Sequence, residues 1–194
     1  MSNDLLLLKE AILRFAPLTE NEWLDFSVGL ELRRCRKGDF LIREGEVEHY
    51  IYFLNTGATR GYFIKDGKEF TVDFLFAGDF VTAYYSLITR LPGNVFIELL
   101  EDAQVVAIPF KFLNGFYDKY HHIERVGRLI AEYQYVRRIQ KEMDLLSRTA
   151  EERYVMLMQR NPELVRQISV RHLSSFLGIQ PESLSRIRKL YQRN

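Results

Sequence analysis

The chain has a single cysteine, Cys35, among its 194 residues, so it can form no intrachain disulfide and no cysteine cluster around a metal. It also lacks an uncharged apolar run of about 18 residues, the length that a transmembrane helix needs. Its N-terminal apolar run, Leu5–Leu8, is short and follows an acid, unlike the apolar core of a signal peptide. These absences predict a cytoplasmic protein with no membrane partner.

Sequence signatures of catalysis are missing as well. The chain has no phosphate-cradling glycine loop, no metal-ligand spacing and no nucleophile elbow. The acidic pair Glu101-Asp102 lies at a turn, where we interpret it as solvated. We therefore expect no enzyme activity, no cofactor and no metal site.

The charges are unevenly distributed along the chain, although the net charge is only +1. Residues 1–120 carry 13 Lys and Arg against 18 Asp and Glu, whereas residues 121–194 carry 14 against 8. An acidic front and a basic rear indicate that only the rear meets a polyanion.

The central part of the chain is patterned as strands. Between Leu32 and Ile108 apolar residues alternate with period two, and glycine turns interrupt them at short intervals. Asp66-Gly67 between apolar flanks is a strong hairpin signal. This pattern predicts a small all-β roll or barrel.

Helical patterns flank the β region. Leu5–Phe15 is a short amphipathic stretch, and Thr19 begins a second helix as an N-cap, with Glu22 completing a capping box. A longer, proline-free helical segment runs from Ile123 to about Ser147.

The long helical segment carries a seam with a four-three spacing over roughly three heptads, which is typical of a two-stranded coiled coil. The alternative is one long helix packed on the protein's own sheet, and the spacing does not decide between them. The seam residues, which we predict to form a dimer interface, are Val126, Leu129, Tyr133, Val136, Gln140 and Met143.

The C-terminal residues from Leu164 carry six Lys and Arg against one acid, Glu182. Two short amphipathic helices lie within them: Val170–Leu177, and a second that Pro181 opens after a turn at Gly178. This arrangement predicts a helix-turn-helix whose second helix presents an acid, a hydroxyl and cations to a DNA major groove. The predicted inner faces are Leu173, Phe176 and Leu177 on the first helix, and Leu184, Ile187 and Leu190 on the second.

A β-roll, a long helix and a helix-turn-helix in this order resemble the Crp/Fnr family of bacterial transcription factors over nearly the whole chain. The motifs that carry the resemblance are Lys37-Gly-Asp39, Arg43-Glu-Gly45, Ile51–Gly57, Ala77–Phe80 and Leu177–Arg188.

The resemblance implies an α+β fold with three parts. An N-terminal β-roll (a double-stranded β-helix like that of cyclic-nucleotide-binding domains) would form the sensor in residues 1–120. A dimerisation helix would occupy residues 121–147, and the helix-turn-helix domain residues 148–194.

In this family a glutamate and an arginine of the recognition helix read base edges, and Glu182 and Arg186 are the matching positions. Arginine pairs with O6 and N7 of guanine, and a carboxylate accepts from the cytosine amine. The alternative is an i, i+4 ion pair on a solvated surface. Ser183 matches a backbone-contacting position, and Arg171, Arg188 and Lys189 add charge for phosphates. The full predicted set is Arg171, Glu182, Ser183, Ser185, Arg186, Arg188 and Lys189.

Two features depart from the family pattern. Pro181 stands where family members carry a base-reading arginine-like residue, so the base preference there is expected to differ. The sequence ends at Asn194, where relatives usually add a β-wing, so we expect a DNA-binding domain without a clear wing.

The phosphate loop of the sensor also departs from its relatives. Those that bind cyclic nucleotides use a Gly-Glu pair and a later Arg-Ser or Arg-Thr pair, where this chain has Thr82-Ala83 and about Gly93-Asn94. The carboxylate for the ribose and the arginine for the phosphate are absent, so cyclic AMP is not expected to bind. Arg90, three residues early, would reach the site only through a loop shift.

What occupies the sensor pocket instead is left open. It either takes an unknown small-molecule effector of flatter or more apolar shape, or its own aromatic rings fill it. The candidate pocket residues are Phe80, Thr82, Ala83, Tyr84, Tyr85, Arg90, Asn94 and Phe96.

Three other sensor chemistries can be weighed. An iron–sulfur cluster needs several cysteines, so one cysteine excludes it. Haem ligation by His49, His121 or His122 is an alternative to surface or core histidines, and redox sensing by Cys35 is an alternative to a buried thiol.

The sequence thus predicts a homodimeric, sequence-specific transcription regulator that reads an inverted repeat in double-stranded DNA, with RNA polymerase as a candidate partner. The alternative is an effector-binding or protein-interaction module whose helix-turn-helix contacts a protein and not DNA. Salt dependence separates the two, because phosphate contacts give a steep salt slope.

Overall fold

The computed structural model describes residues 3–191. Its strands are β1 (Glu31–Cys35), β2 (Phe40–Ile42), β3 (Tyr50–Thr56), β4 (Ala58–Lys65), β5 (Lys68–Phe76), β6 (Phe80–Val81), β7 (Phe96–Leu99) and β8 (Ala103–Pro109). Its helices are α1 (Leu6–Leu13), α2 (Glu20–Ser27), α3 (Tyr84–Thr89), α4 (Phe110–Lys119), α5 (His121–Ser147), α6 (Ala150–Arg160), α7 (Pro162–Gln167), α8 (Val170–Leu177) and α9 (Pro181–Tyr191).

The strands form two four-stranded sheets, with strand orders β1-β8-β3-β6 and β2-β7-β4-β5. In the first sheet β8 pairs antiparallel with β1 on one side and with β3 on the other, placing Val106 opposite both Leu32 and Phe53. The predicted α+β fold with a β-roll is confirmed.

The predicted hairpin at Asp66-Gly67 joins β4 to β5. Both residues have positive φ, 51° for Asp66 and 71° for Gly67. Two successive left-handed residues match the right-handed twist of the flanking strands, which is why Asp-Gly is favoured there. The local signal was therefore sufficient to place this turn.

The N-terminal helices pack beside the first sheet. A 3-10 turn (Asn3–Leu5) and α1 take the place of the single predicted helix Leu5–Phe15. The capping box of α2 is confirmed, since Thr19 Oγ1 accepts from the Glu22 amide and the Glu22 carboxylate accepts from the Thr19 amide. The buried residues of this core are Leu8, Ala11, Ile12, Trp23, Phe26, Phe53, Val106, Ile108, Leu113, Phe116, Ile123 and Val126.

The chain divides into two compact units. One contains Met1–Gly61 and Phe74–Gln134, and the other contains Tyr62–Asp73 and Tyr135–Asn194. The cut falls within α5 and not at the ends of the predicted dimerisation helix. The hairpin tip Tyr62–Asp73 belongs to the same unit as the C-terminal helices. The periodicity of the sequence gives no indication of this association.

Candidate nucleic-acid interface and sensor site

The helix-turn-helix forms as the sequence predicts. Ser169 caps α8 by accepting from the His172 amide at 3.1 Å, and Gly178 ends the helix in the left-handed conformation at φ 64°. Leu173, Leu177 and Leu184 are fully buried. Burial of these leucines fixes the angle between the two helices. Leu190, predicted on the inner face, is instead exposed.

Helix α9 presents a polar face to solvent. Glu182, Arg186 and Lys189 are exposed on it, spaced by three or four residues. Arg186 Nη2 donates to Ser183 Oγ at 3.1 Å, and Ser185 Oγ donates to the Pro181 carbonyl at 3.1 Å. Within residues 3–191 Glu182 and Arg186 form no ion pair with each other, so the alternative of an i, i+4 pair on the helix surface is not observed.

Arg188 differs from the other predicted DNA contacts. Its guanidinium points inward, where Nη2 donates to the carbonyl oxygens of Ile168 at 2.9 Å and Val165 at 3.2 Å. The assignment of Arg188 to a phosphate is therefore corrected, since its Nη2 donates to two carbonyls at the end of α7. A cation at a helix C-terminus is also favoured by the helix dipole.

Arg153 has a similar anchoring role that sequence reasoning missed. Its Nη1 donates to the Arg148 carbonyl at 2.7 Å, and its Nη2 donates to the Leu177 carbonyl at 2.5 Å. This arginine ties the end of α8 to the segment after α5. In the sequence it looks like one more cation of a charged helix, and no local signal separates it from the others.

Arg171 lies in the first turn of α8, and 72% of its side chain is exposed. Its Nη2 lies 3.0 Å from Oε1 of Glu69, on the hairpin tip that belongs to the same compact unit. The predicted phosphate contact is thus accessible, and it is paired with an acid.

The predicted dimer seam on α5 is only partly available to a partner. Val136 and Met143 are largely exposed, Gln140 is exposed and donates to Asp144 at 3.1 Å, and Leu129 is half-buried. Tyr133 is half exposed and contacts the Phe15 ring edge-on. Solvent-facing apolar side chains at heptad spacing are what a coiled-coil interface requires.

Val126 is the exception, and its assignment to the dimer interface is corrected. Only 3% of its surface is exposed, because it packs into the core of its own chain. Conversely, the exposed Ile139 and Leu146 extend the stripe of Val136 and Met143 by three-four spacing and were missed. The sequence shows this stripe when the heptad pattern is read through Ile139 and Leu146 in place of Gln140.

A buried carboxylate lies at the predicted sensor site. Glu48 is 2% exposed, and its Oε1 accepts from the amides of His49 and Tyr50, both at 3.0 Å. Its Oε2 accepts from the Ala83 amide at 3.4 Å. Desolvation raises the pKa of Glu48 against the lowering effect of these hydrogen bonds. The Ala83 amide, directly before α3, therefore already donates to a carboxyl group of the protein itself.

The residues predicted to line the pocket do not converge. Tyr84 and Tyr85 are exposed on α3, contrary to the expectation that they crowd the pocket. The Arg90 guanidinium lies 4.8 Å from the ring centre of Phe110. Asn94 is exposed and Ala83 is buried. Two of the aromatic rings pack on other rings, Phe80 on Phe53 and Phe96 on Phe40. The Thr82 hydroxyl donates to the Tyr50 carbonyl.

The other sensor candidates are also placed. His122 Nε2 lies 2.6 Å from Glu22 Oε1, while His49 and His121 are exposed. Burial raises the pKa of the Cys35 thiol, which disfavours the reactive thiolate. Within the described range no three His, Cys, Asp or Glu side chains converge on a metal position. No helix of residues 3–191 is long and apolar enough to span a bilayer.

A β-roll followed by a long helix and a helix-turn-helix defines the class of fold. Residues 32–120 match the family model of the cyclic nucleotide-binding domain. No curated protein sequence is significantly similar to the chain.

Solved structures show the same architecture. A protein from Eubacterium rectale assigned to the Crp/Fnr family of transcriptional regulators matches with a TM-score of 0.69 and 18% identity, over 90% of this chain and 84% of its own. FixK2 from Bradyrhizobium japonicum matches with a TM-score of 0.67 and 23% identity, over 84% of this chain and 85% of its own. The catabolite activator protein of Thermus thermophilus matches with a TM-score of 0.56 and 21% identity, over 94% of this chain and 87% of its own. The chain therefore has the fold of Crp/Fnr transcription regulators.

Proposed function

We propose that the protein is a homodimeric, sequence-specific DNA-binding regulator that reads an inverted repeat. The observation that carries the proposal is the exposed face of α9, where Glu182, Arg186 and Lys189 project from a helix anchored by the buried Leu184. An arginine and a carboxylate on a rigid helix can read guanine and cytosine edges, while the lysine holds a phosphate.

The dimer is proposed from the exposed stripe on α5. Val136, Ile139, Met143 and Leu146 follow three-four spacing and are exposed to solvent in the isolated chain. Pairing two such stripes across a two-fold axis buries this apolar surface and duplicates the recognition helix. Two symmetry-related helices then require half-sites about one helical turn (~34 Å) apart.

The sensor domain is proposed not to take cyclic AMP. Glu48 Oε2 accepts from the Ala83 amide, where the phosphate loop of a cyclic-nucleotide-binding relative begins. A cyclic phosphate placed there would meet this carboxylate and no arginine, so its charge would be destabilised.

The test of the proposed function is selection of bound duplexes from a random-sequence library by the full chain. The expected product is an inverted repeat, and its affinity should fall steeply with salt. Affinity for no duplex, or binding that salt leaves unchanged, would instead favour a helix-turn-helix that contacts a protein.

A further inference from the structure

The hairpin tip between β4 and β5 holds helix α8 through one serine. Ser175 Oγ accepts from the Thr71 amide at 2.9 Å and donates to the Glu69 carbonyl at 3.0 Å. β5 is the last strand in its sheet order, so Ser175 satisfies backbone groups at a sheet edge. All three residues belong to the same compact unit.

Arg171 makes the second contact, one helical turn before Ser175 and on the same face of α8. Its Nη2 lies 3.0 Å from Glu69 Oε1, with the arginine side chain 72% exposed and the glutamate side chain 24% exposed. The side chain and the carbonyl of Glu69 thus hold two consecutive turns of the helix.

Lys141 on α5 holds the same strand from another direction. Its Nζ donates to the Val72 carbonyl at 2.8 Å and lies 2.5 Å from Asp73 Oδ1. The Nζ also lies 5.3 Å from the ring centre of Phe176 on α8. The segment Glu69–Asp73 is therefore fastened at several points to the helices that surround it in this unit.

We propose that Glu69 competes with DNA phosphate for Arg171, so that the docked hairpin lowers the affinity of the protein for DNA. This inference rests on the proposed function. The first helix of a helix-turn-helix crosses the DNA backbone, which brings phosphates to its exposed N-terminal cations. A guanidinium binds carboxylate and phosphate through the same donors, and the two anions repel each other at short range. DNA binding then requires that Arg171 exchange Glu69 for a phosphate.

The test compares the wild type with the full-length variants Glu69→Gln, Asp66→Asn and Arg171→Gln, and with the double variant of Glu69→Gln and Arg171→Gln. The probe is a fluorescent duplex of about 30 base pairs and mixed sequence, because phosphate contacts do not depend on sequence. Glu69→Gln should raise the affinity by about two- to twenty-fold, since a dimer presents two such ion pairs. Asp66→Asn is the matched control: it removes one negative charge from the exposed turn of the same hairpin, where asparagine tolerates the positive φ of 51°. In an Arg171→Gln background the effect of Glu69→Gln should vanish.

Ser175→Ala tests the docking without DNA. It removes both hydrogen bonds to the strand, so hydrogen exchange at the Thr71 amide should accelerate, while the Leu54 amide, which donates to the Asp79 carbonyl, should be unaffected. The same variant should bind the duplex more tightly than the wild type.

The outcomes separate this inference from the proposed function. A gain for Glu69→Gln no larger than that of Asp66→Asn, or one that persists in the Arg171→Gln background, would overturn the competition while leaving DNA binding in place. Failure of every variant, wild type included, to bind the duplex would overturn the proposed function and the competition with it.

Discussion

The Arg188 guanidinium donates to the Ile168 carbonyl at 2.9 Å and so fastens the recognition helix to the end of α7. A second bond, to the Val165 carbonyl, is 3.2 Å long. Val165 and Ile168 are themselves buried. A residue that looks like a DNA contact in the sequence therefore supports the position of the helix that would enter the groove.

Arg188→Ala should lower the free energy of unfolding by about 1–3 kcal/mol, because two carbonyls lose a charged donor. Urea denaturation followed by circular dichroism measures this. Lys189→Ala is the control: the neighbouring side chain is exposed, and its loss should change stability by no more than about 0.5 kcal/mol. Equal losses for the two variants would show that the Arg188 contacts contribute nothing.

Local signals in the sequence were sufficient for several elements. The ends of α8, the left-handed Gly178, the start of α9 at Pro181 and the capping box at Thr19 all follow from residues within one helical turn. The φ preference of glycine and the N-cap hydrogen bond act at short range, so no tertiary information is needed.

The direction of long polar side chains could not be predicted in the same way. Arg188 and Lys189 are adjacent cations, yet only Arg188 turns inward, because carbonyls of a different helix lie within its reach. Glu48 looks like a loop acid beside Glu46, but folding brings it under the Ala83 amide, 35 residues later. The packing of an apolar side chain was likewise not predictable: Val126 fits the heptad seam in the sequence but packs in the core of its own chain.

Val136→Glu should convert the proposed dimer to monomer, because two like charges would meet across the two-fold axis. Val136 is 65% exposed in the isolated chain, so the change should not unfold it. Leu145→Glu, at a side chain 56% exposed on the opposite side of α5, is the matched control and should stay dimeric. Sedimentation velocity distinguishes the species. A dimeric Val136→Glu variant would place the interface elsewhere.

Glu48 should make the protein less stable as the pH rises. Burial raises its pKa in the folded state above the ordinary value of 4.5, so the folded protein retains a proton that the unfolded chain has lost. The free energy of unfolding must then fall as the pH increases from 4.5 through the raised pKa.

Urea denaturation at a series of pH values measures this effect as the wild-type stability minus that of Glu48→Gln, which cannot titrate. This difference should shrink or become negative with rising pH. Glu44→Gln, which removes an exposed carboxylate from the same loop, controls for loss of one charge. A difference that grows with pH would mean that the amide hydrogen bonds outweigh desolvation.

Cyclic AMP and cyclic GMP should give no binding signal in titration calorimetry with the full chain. The Ala83 amide donates to Glu48 and so is not available to donate to a ligand, and the Arg90 guanidinium lies over the Phe110 ring. Binding of the mixed-sequence DNA duplex by the same preparation shows that the protein is active. Low-micromolar binding of either nucleotide would contradict the assignment and direct attention to a shift of the loop that carries Arg90.

Arg186 and Lys189 should differ in what they contribute to DNA recognition. Arg186→Ala should cost about 1–3 kcal/mol on the selected inverted repeat and relax the preference at one position of each half-site, because a bidentate contact to guanine is lost. Lys189→Ala should weaken binding to all DNA sequences by similar factors. It should also lower the slope of log affinity against log salt concentration by about one per subunit.

Both side chains are exposed on α9, three residues apart, so each serves as the control for the other in folding and in total charge. The measurement is a binding titration on the selected site and on its single-base variants at two salt concentrations. Arg186 can discriminate bases only if it leaves Ser183 Oγ, 3.1 Å from its Nη2 in the free protein, and turns toward the groove. If both variants lose the same affinity on every duplex, Arg186 contacts phosphate and the base-reading assignment is wrong.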